Sequence, residues 1–453
     1  MAVVIAAPSS RSGKTTITLA LLAALRRRGV VVQSFKVGPD YIDPMFHEAV
    51  TGLPCRNLDP VLTSESYVKD CFRYHCQGRH AALIEGVMGL FDGKASPPSW
   101  GSLPDQGSTA HVARLLDQPV ILVVDARGMS TSIAALIYGF RHLDRRVKLA
   151  GVILNRVGSP RHEEMLRIAV ASQHLPVLGC VGTIPEIALP SRHLGLVPVD
   201  QLTTFAEMQT RLADLAEAAM DWAQLLPLLC DLPPPADPLW DLDGDPFPGQ
   251  LPPRIAIASD QAFNFYYADH IDLLKASGAQ LSFYSPLQEG LLPRDPCDGV
   301  YLGGGFPELF ASQLSERFVA HPLPPRLPLI YAECGGLMVL GETLWDLAGD
   351  PYRMSGVLPL QTKMTERLTL GYRHAQTLRA TPFFPNHLAL TGHEFHHSQS
   401  LNGSISPIYA WDNHREGWAS DRIHASYLHL HWGSAPVWVQ RWLRHCQAQR
   451  GEQ

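Results

Sequence analysis

Three stretches of this chain place chemically capable residue types at informative spacings. The first, APSSRSGKTT from Ala7 to Thr16, nearly spells the phosphate-loop pattern G-x-x-x-x-G-K-[ST], with Pro8 where the first glycine is usual. In such a loop, backbone N–H groups form an anion nest, to which the next helix adds its positive N-terminal end. Lys14 would bridge outer phosphates and Thr15 would ligate Mg²⁺. A proline at position 8 removes one donor and restricts φ without touching Gly13, Lys14 or Thr15, so the loop is altered and not abolished. A chance G-K-T at a turn is the bland reading; an apolar strand before it and a strong helix after it favour nucleotide binding.

The second set is acidic. FKVGPDYIDP offers Asp40 and Asp43, and LIEGVMGLFDG offers Glu85 and Asp92, all following short apolar runs. A carboxylate at the carboxyl end of a parallel strand faces the ligand crevice of an open α/β sheet, which suits Glu85 as a metal ligand. For Asp40 and Asp43, flanked by Pro39 and Pro44, turn formation is an equal reading.

The third is a thiol. YAECGGLMVL sets Cys334 between an apolar strand and an apolar helix and follows it with two glycines, the pattern of a nucleophile elbow in which the helix N-terminus lowers the thiol pKa. A buried structural cysteine is the competing reading. DGVYLGGGFPELF ends a strand in Gly303, Gly304 and Gly305, whose unhindered N–H groups suit an oxyanion hole. ASYLHLHWGS offers His429 and His431 as bases, and GHEFHHS offers His393, His396 and His397; spacing does not choose among them.

The elements that must hold these groups read as α/β. AVVIAA, VVVQSFKVG, AALIEGV, PVILVVD and KLAGVILNRV alternate with helical patterns, and strands apolar on both faces belong to a doubly wound parallel sheet. An amphipathic helix spans about 205–225. Prolines at 227, 233, 234, 235, 238, 246, 248, 252 and 253 cannot continue a helix or a central strand. The expected domains are therefore 1–225, a Pro-rich linker at 226–253, and 254–453. The βα rhythm restarts with RIAIASD, a helix near YYADHIDLLKASG, QLSFYSP, DGVYLGGG and LPLIYAE. Gly356 to Asn413 reads as antiparallel strands, and APVWVQRWLRHCQAQR as the last helix.

Bulk properties set limits. The 453 residues, 46% apolar and 18% charged, suit two well-buried globular units. A net charge of −6 gives no electrostatic reason to expect nucleic acid or an anionic membrane. The eight cysteines contain no C-x-x-C pair, which fits a reduced, cytoplasmic protein. The start AVVIAAP lacks a basic n-region and reads as a strand, not a signal peptide, and no run approaches the ~18 apolar residues of a membrane span.

Taken together, APSSRSGKTT, FKVGPDYIDP, EGVMGLFDG, GVILNRVGSPRH, SRHLGLVPV, AFNFYY, YLGGGFPELF, ECGGLMVL, GHEFHHS and SYLHLHW, in this order over nearly the whole chain, resemble the cobyrinic acid a,c-diamide synthase family of vitamin B12 biosynthesis. The resemblance implies an N-terminal P-loop domain similar to dethiobiotin synthetase and a C-terminal class I-like, flavodoxin-like glutamine amidotransferase domain. It implies ATP- and glutamine-dependent amidation of the a- and c-acetates of cobyrinate through a phosphorylated carboxylate. Hydrogenobyrinate and nickel-sirohydrochlorin are the rival substrates, and a partitioning-type P-loop ATPase switch is the non-enzyme rival.

Residue by residue, the resemblance makes Cys334 the nucleophile and His429 its base. Gly304, Gly305 and Gly335 would form the oxyanion hole. Where ordinary class I amidotransferases carry a Glu two residues after the His, this chain has His431, so a Cys–His dyad is implied and the group that orients His429 is open. Ser10, Arg11, Ser12, Gly13, Lys14, Thr15 and Thr16 would bind ATP, with Asn155 reading the adenine. Thr15 and Glu85 would hold Mg²⁺, and Asp40, Asp43 and Asp92 would act in catalysis, the first two near the acetate arms. The partners implied are cobyrinate, L-glutamine and ATP, with no nucleic acid or membrane, and the resemblance leaves room for a homodimer.

Overall fold

The computed structural model describes residues 2–94, 105–183, 191, 192, 195, 196, 205–230, 232–242, 244 and 246–450. Residues 193, 194 and 197–199 of the SRHLGLVPV stretch lie outside the described residues. The chain divides into two compact units, Met1–Leu239 and Trp240–Gln453.

The first unit is built on β1 (Val3–Ala6), β2 (Val32–Val37), β3 (Arg56–Leu58), β4 (Ala81–Glu85), β5 (Val120–Asp125), β6 (Leu149–Val157) and β7 (Val177–Gly182). They form one sheet in the order β3-β2-β4-β1-β5-β6-β7, with every pairing parallel. Parallel neighbours need crossovers, which run through α1 (Lys14–Arg27), α2 (Ile42–Thr51), α3 (Glu65–Cys76), α4 (Thr109–Leu115), α5 (Ile133–Leu143) and α6 (Pro160–Ala171). β1, β2 and β4 are buried at every position, as a sheet covered on both faces requires. The expected strands are all present. β3 and β7 escape the apolar pattern because one is three residues with Arg56 and Asn57 and the other is interrupted by Gly179.

A short ladder joins β8 (Ser191–Arg192) to β9 (Gly195–Leu196), and the unit ends with α7 (Phe205–Ala219) and α8 (Trp222–Cys230). Arg27 and Arg28, at the end of α1, pair with Asp214 and Glu217 of α7. The expectation that Pro227 cannot continue a helix fails, because Pro227 lies inside α8. One N–H is forfeited there, and burial of Leu225 and Leu229 on either side holds the turn. From 232 to 253 the described residues form neither helix nor strand.

The second unit has two sheets. The first contains β10 (Arg254–Ala258), β11 (Gln280–Tyr284), β12 (Gly299–Leu302) and β13 (Leu329–Glu333), crossed over by α9 (Ala268–Ala276), α10 (Pro286–Glu289) and α11 (Ala311–Ala320). After β13 come α12 (Gly335–Leu340), β14 (Thr343–Trp345), β15 (Pro351–Arg353), the long hairpin β16 (Gln361–Thr377) and β17 (Ala389–Ser400), then β18 (Tyr409–Trp411), β19 (His414–Glu416), β20 (Trp418–Ala419), β21 (Ile423–Ser426) and α13 (Pro436–Arg450). The main sheet runs β11-β10-β12-β13-β21-β20, parallel except for the β20 edge. Its five parallel strands follow the flavodoxin-like order 2-1-3-4-5, which opens a crevice at the carboxyl ends of β10 and β12. The region read as antiparallel contains β16 paired with β17 and β18.

Candidate active sites

In the first unit, the loop after β1 enters α1 at Lys14. Gly13 has φ +96°, and a Cβ there would stand 2.2 Å from Asn155 Nδ2, so only glycine suits both the backbone and the neighbour. Asn155, near the end of β6, donates from Nδ2 to Ser12 O at 2.9 Å and accepts at Oδ1 from Arg156 N at 3.0 Å, so it props the loop from beneath. Ser12 Oγ donates to Ser9 O at 2.9 Å, while Ser10 and Arg11 are exposed and Thr16 is half-buried. The loop after β4 lies alongside: Leu90 N donates to Ala7 O at 2.8 Å, and Lys14 Nζ to Met88 O at 2.5 Å. Asp92 Oδ2 accepts from Gly89 N at 2.8 Å and so shapes that loop. Burial pushes the Lys14 ammonium down to about 8, aided by Lys36 and opposed by Glu85, Asp43 and Asp92.

Behind Lys14 the acids converge. Thr15 Oγ1 lies 2.6 Å from Glu85 Oε1 and 3.3 Å from Asp43 Oδ2. Lys36, a residue with no sequence-based assignment, sends Nζ to Asp43 Oδ2 at 2.5 Å, Glu85 Oε1 at 3.2 Å and Asp40 Oδ2 at 3.7 Å. His47 is the second such residue, with Nε2 2.7 Å from Glu85 Oε2 and Nδ1 3.3 Å from Cys55 Sγ. Asp40 Oδ1 accepts from Ile42 N at 2.9 Å and Asp43 N at 3.1 Å, opening α2 as the turn reading expects, while its Oδ2 faces Lys36. Asp43 sits at the centre of the cluster, not in a turn alone.

Burial, with Asp40 and Glu85 beside it, pushes the Asp43 carboxyl up to about 7 against the pull of Lys36. Burial also disfavours charge on Glu85, but Lys36, His47 and Thr15 outweigh it and hold that carboxyl below the usual range. Against burial, contacts with Cys55 and Glu85 push His47 up to about 10. Hard oxygens from Thr15, Glu85 and Asp43 gathered this closely suit Mg²⁺.

In the second unit, Cys334 joins β13 to α12 with φ +49° and ψ −102°, a conformation that non-glycine residues rarely adopt and that is the tight strand-to-helix turn expected of a nucleophile elbow. Its N–H donates to Ser426 O at 2.8 Å and its carbonyl accepts from Met338 N at 3.0 Å. The expected lowering of the thiol pKa is reversed. Burial pushes the thiol up, Glu308, Glu333 and Glu394 add to this, and the Gly335 N–H at the start of a six-residue helix opposes too weakly.

The glycine run closes over this elbow. A Cβ on Gly304 would lie 2.9 Å from His429 Cε1, and a Cβ on Gly335 would lie 3.3 Å from Gly305 N. Gly304 thus packs on the His429 ring, and Gly305 on Gly335, the residue after Cys334. Gly303 turns its N–H to Tyr266 Oη at 2.9 Å and its carbonyl to Gly336 N at 3.1 Å, so it serves as scaffold.

Of the candidate bases, His429 is the one that packs against Gly304. His393 lies behind it, rings 4.9 Å apart and nearly parallel, with Nε2 3.0 Å from Tyr267 Oη. His431 sets Nε2 3.6 Å from Asp269 Oδ2. His396 turns Nδ1 to Ser398 O at 2.8 Å, and the carbonyl of His397 accepts from Thr365 Oγ1 at 3.2 Å. Glu333, the residue before the nucleophile, places Oε2 3.5 Å from His429 Nδ1, with both side chains 1% exposed. The sequence signal for it was a charge at the end of the apolar run LPLIYAE. Beside Glu394 and Tyr427 opens a cavity of about 670 Å³, lined also by Arg373, His396 and Trp411. Arg373 Nε lies 2.6 Å from Glu394 Oε2 there.

Among the described residues no helix is long and apolar enough to cross a membrane. Residues 3–197 match the family described as CobQ/CobB/MinD/ParA nucleotide binding domain, and residues 254–437 match the CobB/CobQ-like glutamine amidotransferase domain. The chain is 51% identical to a cobyrinate a,c-diamide synthase of Gloeobacter violaceus, over 99% of this chain and 97% of that one. It is 47% identical to a cobyrinate a,c-diamide synthase of Synechocystis, over 99% and 94%. It is 41% identical to a hydrogenobyrinate a,c-diamide synthase of Mycobacterium tuberculosis, over 98% and 97%.

Proposed function

The chain belongs to the cobyrinate a,c-diamide synthase family, and from that membership we propose that it amidates the a- and c-acetate carboxylates of cobyrinate in two rounds, using ATP and glutamine. The observation that carries this reading is 51% identity to a cobyrinate synthase along 97% of its length. Hydrogenobyrinate is the second substrate to test, because relatives named for it are 41% identical. A partitioning-type switch has no use for the thiol centre of the second unit.

A carboxylate repels nucleophiles, and oxide is a poor leaving group. In the first unit a carboxylate oxygen of the substrate attacks the γ-phosphorus of ATP and ADP leaves; ammonia then attacks the acyl carbon, and phosphate departs with that oxygen. Residues Ser10–Thr16 enclose the phosphates, with Lys14 on the outer ones. Asn155, already holding Ser12, reaches the adenine with its remaining donor. Thr15 and Glu85 would hold Mg²⁺, which when bound supplies charge neutralisation at the phosphates. Asp40 and Asp43 face the acetate arms, and Asp92 keeps the 86–93 loop against Lys14.

In the second unit Cys334 Sγ attacks the side-chain amide carbon of glutamine as His429 takes its proton and returns it to the leaving ammonia. The N–H groups of Gly304, Gly305 and Gly335 receive the oxyanion. Water then cleaves the thioester to glutamate. Arg373 and Glu394, in the adjoining cavity, present opposite charges to the amino-acid head of glutamine.

The deciding assay supplies glutamine, ATP–Mg²⁺ and each macrocycle in turn and reads the product by mass. Cys334→Ala should lose glutamine-driven amidation and keep ammonia-driven amidation; Asp43→Asn should lose both. The reverse pattern contradicts this division of labour. Sedimentation of the full chain separates monomer from homodimer.

A further inference from the structure

We propose that Glu333 completes the thiol centre as the group that positions His429, supplying from the residue before the nucleophile the carboxylate that other class I amidotransferases place two residues after the histidine. The proposal rests on the assignment of Cys334 and His429 to glutamine hydrolysis. Position 431, where that carboxylate would otherwise stand, is a histidine directed at Asp269.

Glu333 is the last residue of β13, and its two oxygens are unequally engaged. Oε1 accepts from Tyr331 Oη at 2.6 Å and from Leu430 N at 3.2 Å, and Tyr331 Oη in turn lies 3.4 Å from Trp432 Nε1. These bonds fix the carboxylate from β13 and from the segment that carries His429. Oε2 is buried and accepts no hydrogen bond among the described residues. It faces His429 Nδ1 at 3.5 Å. A buried carboxylate oxygen left unmatched is costly, and a proton on Nδ1 directed at Oε2 removes that cost. That tautomer leaves Nε2 unprotonated, the form a base needs.

The ring has little freedom to do otherwise. His393 stacks on one face, and Gly304 closes on Cε1. The backbone of His429 is clamped to that of His393 by N–H···O bonds of 2.8 and 2.9 Å. When His429 takes the thiol proton it becomes an imidazolium beside Glu333, and no proton transfer to the carboxylate is required. Among the described residues, the titratable groups that act on this imidazole include Glu333 on β13, His393 on β17 and His270 on α9.

Glu333→Gln keeps an oxygen for Tyr331 and Leu430 and replaces the charged acceptor at His429 with a neutral NH2 donor. Its glutamine-driven kcat should fall by roughly 10- to 100-fold, the factor that a lost hydrogen bond to a charged group represents. The KM for glutamine and ammonia-driven amidation should stay within twofold. The limb of the pH profile that belongs to the imidazole should move to lower pH, because a neutral neighbour no longer favours imidazolium. Glu333→Asp should recover part of the rate. Unchanged kcat and an unmoved limb in a variant with intact ammonia-driven activity would overturn the proposal. If no Glu333 variant folds, the wild-type protein still decides: in ¹⁵N-histidine spectra, the resonance lost in His429→Gln should report a neutral ring protonated at Nδ1, and protonation at Nε2 would overturn it. Should Cys334→Ala retain glutamine-driven activity, the underlying assignment fails instead.

Discussion

Replacing Lys36 with methionine tests the acid cluster most directly. Lys36, its side chain 4% exposed, has Asp43, Glu85 and Asp40 within 3.7 Å. Methionine keeps the bulk and removes the charge, leaving buried carboxylates uncompensated, a change that costs about 3–5 kcal/mol. For a unit of this size that lowers Tm by roughly 6–20 °C. The deficit has a definite pH dependence. Asp43 already stands at about 7 when folded, against 3.8 as its ordinary value, and without the ammonium it rises further. A carboxyl raised on folding binds more protons folded than unfolded between those two values, so its contribution is fully present at low pH and is lost as pH rises through the folded pKa. The Lys36→Met deficit should therefore be smaller at pH 5 than at pH 8.5. Calorimetry of the full chain at both pH values, following the transition that ATP–Mg²⁺ shifts upward, measures it. Adding Asp43→Asn should restore part of the loss at pH 8.5. A deficit equal at the two pH values, or no recovery in the double variant, would refute the charge argument.

Three further outcomes are expected. Gly13→Ala should weaken ATP binding by about tenfold or more, because it combines an unfavourable φ with a clash at Asn155 Nδ2; titration calorimetry showing unchanged affinity would contradict that close approach. Gly304→Ala should lower glutamine-driven kcat by about 100-fold by displacing the His429 ring, with ammonia-driven turnover preserved; equal loss from both nitrogen sources would count against it. Glu416 accepts from Ser426 Oγ at 2.7 Å and Tyr427 N at 2.8 Å, just ahead of His429, and burial pushes its carboxyl up to about 7 from 4.5. The second unit should thus lose roughly 3 kcal/mol as pH rises from 4.5 through 7, and Glu416→Gln should flatten that slope in urea titrations; an unchanged slope excludes Glu416 as its source.

Much of this protein follows from local pattern. The G-K-T spacing after an apolar run, the thiol between strand and helix followed by two glycines, and the doubly apolar strands are each set by residues within about one element of each other, so the sequence alone marked both candidate sites and determined the α/β class. Local pattern misled where a single rule met a compensating environment. Pro227 sits within a helix held by buried leucines, and the Cys334 thiol is raised because burial and three carboxylates outweigh a short helix.

Only tertiary structure could bring together the charged groups that surround those sites. Lys36 meets Glu85 because β2 lies beside β4 in a register that sets the two directly across from each other, although they are 49 positions apart in sequence. Glu333 reaches His429 because β13 lies beside β21, which aligns Glu333 with Ser426 and starts the segment leading to the histidine. Apolar periodicity says that a strand is buried but not which strand is its neighbour. The choice of neighbour is made by packing of the whole sheet, and these charge partners are decided with it.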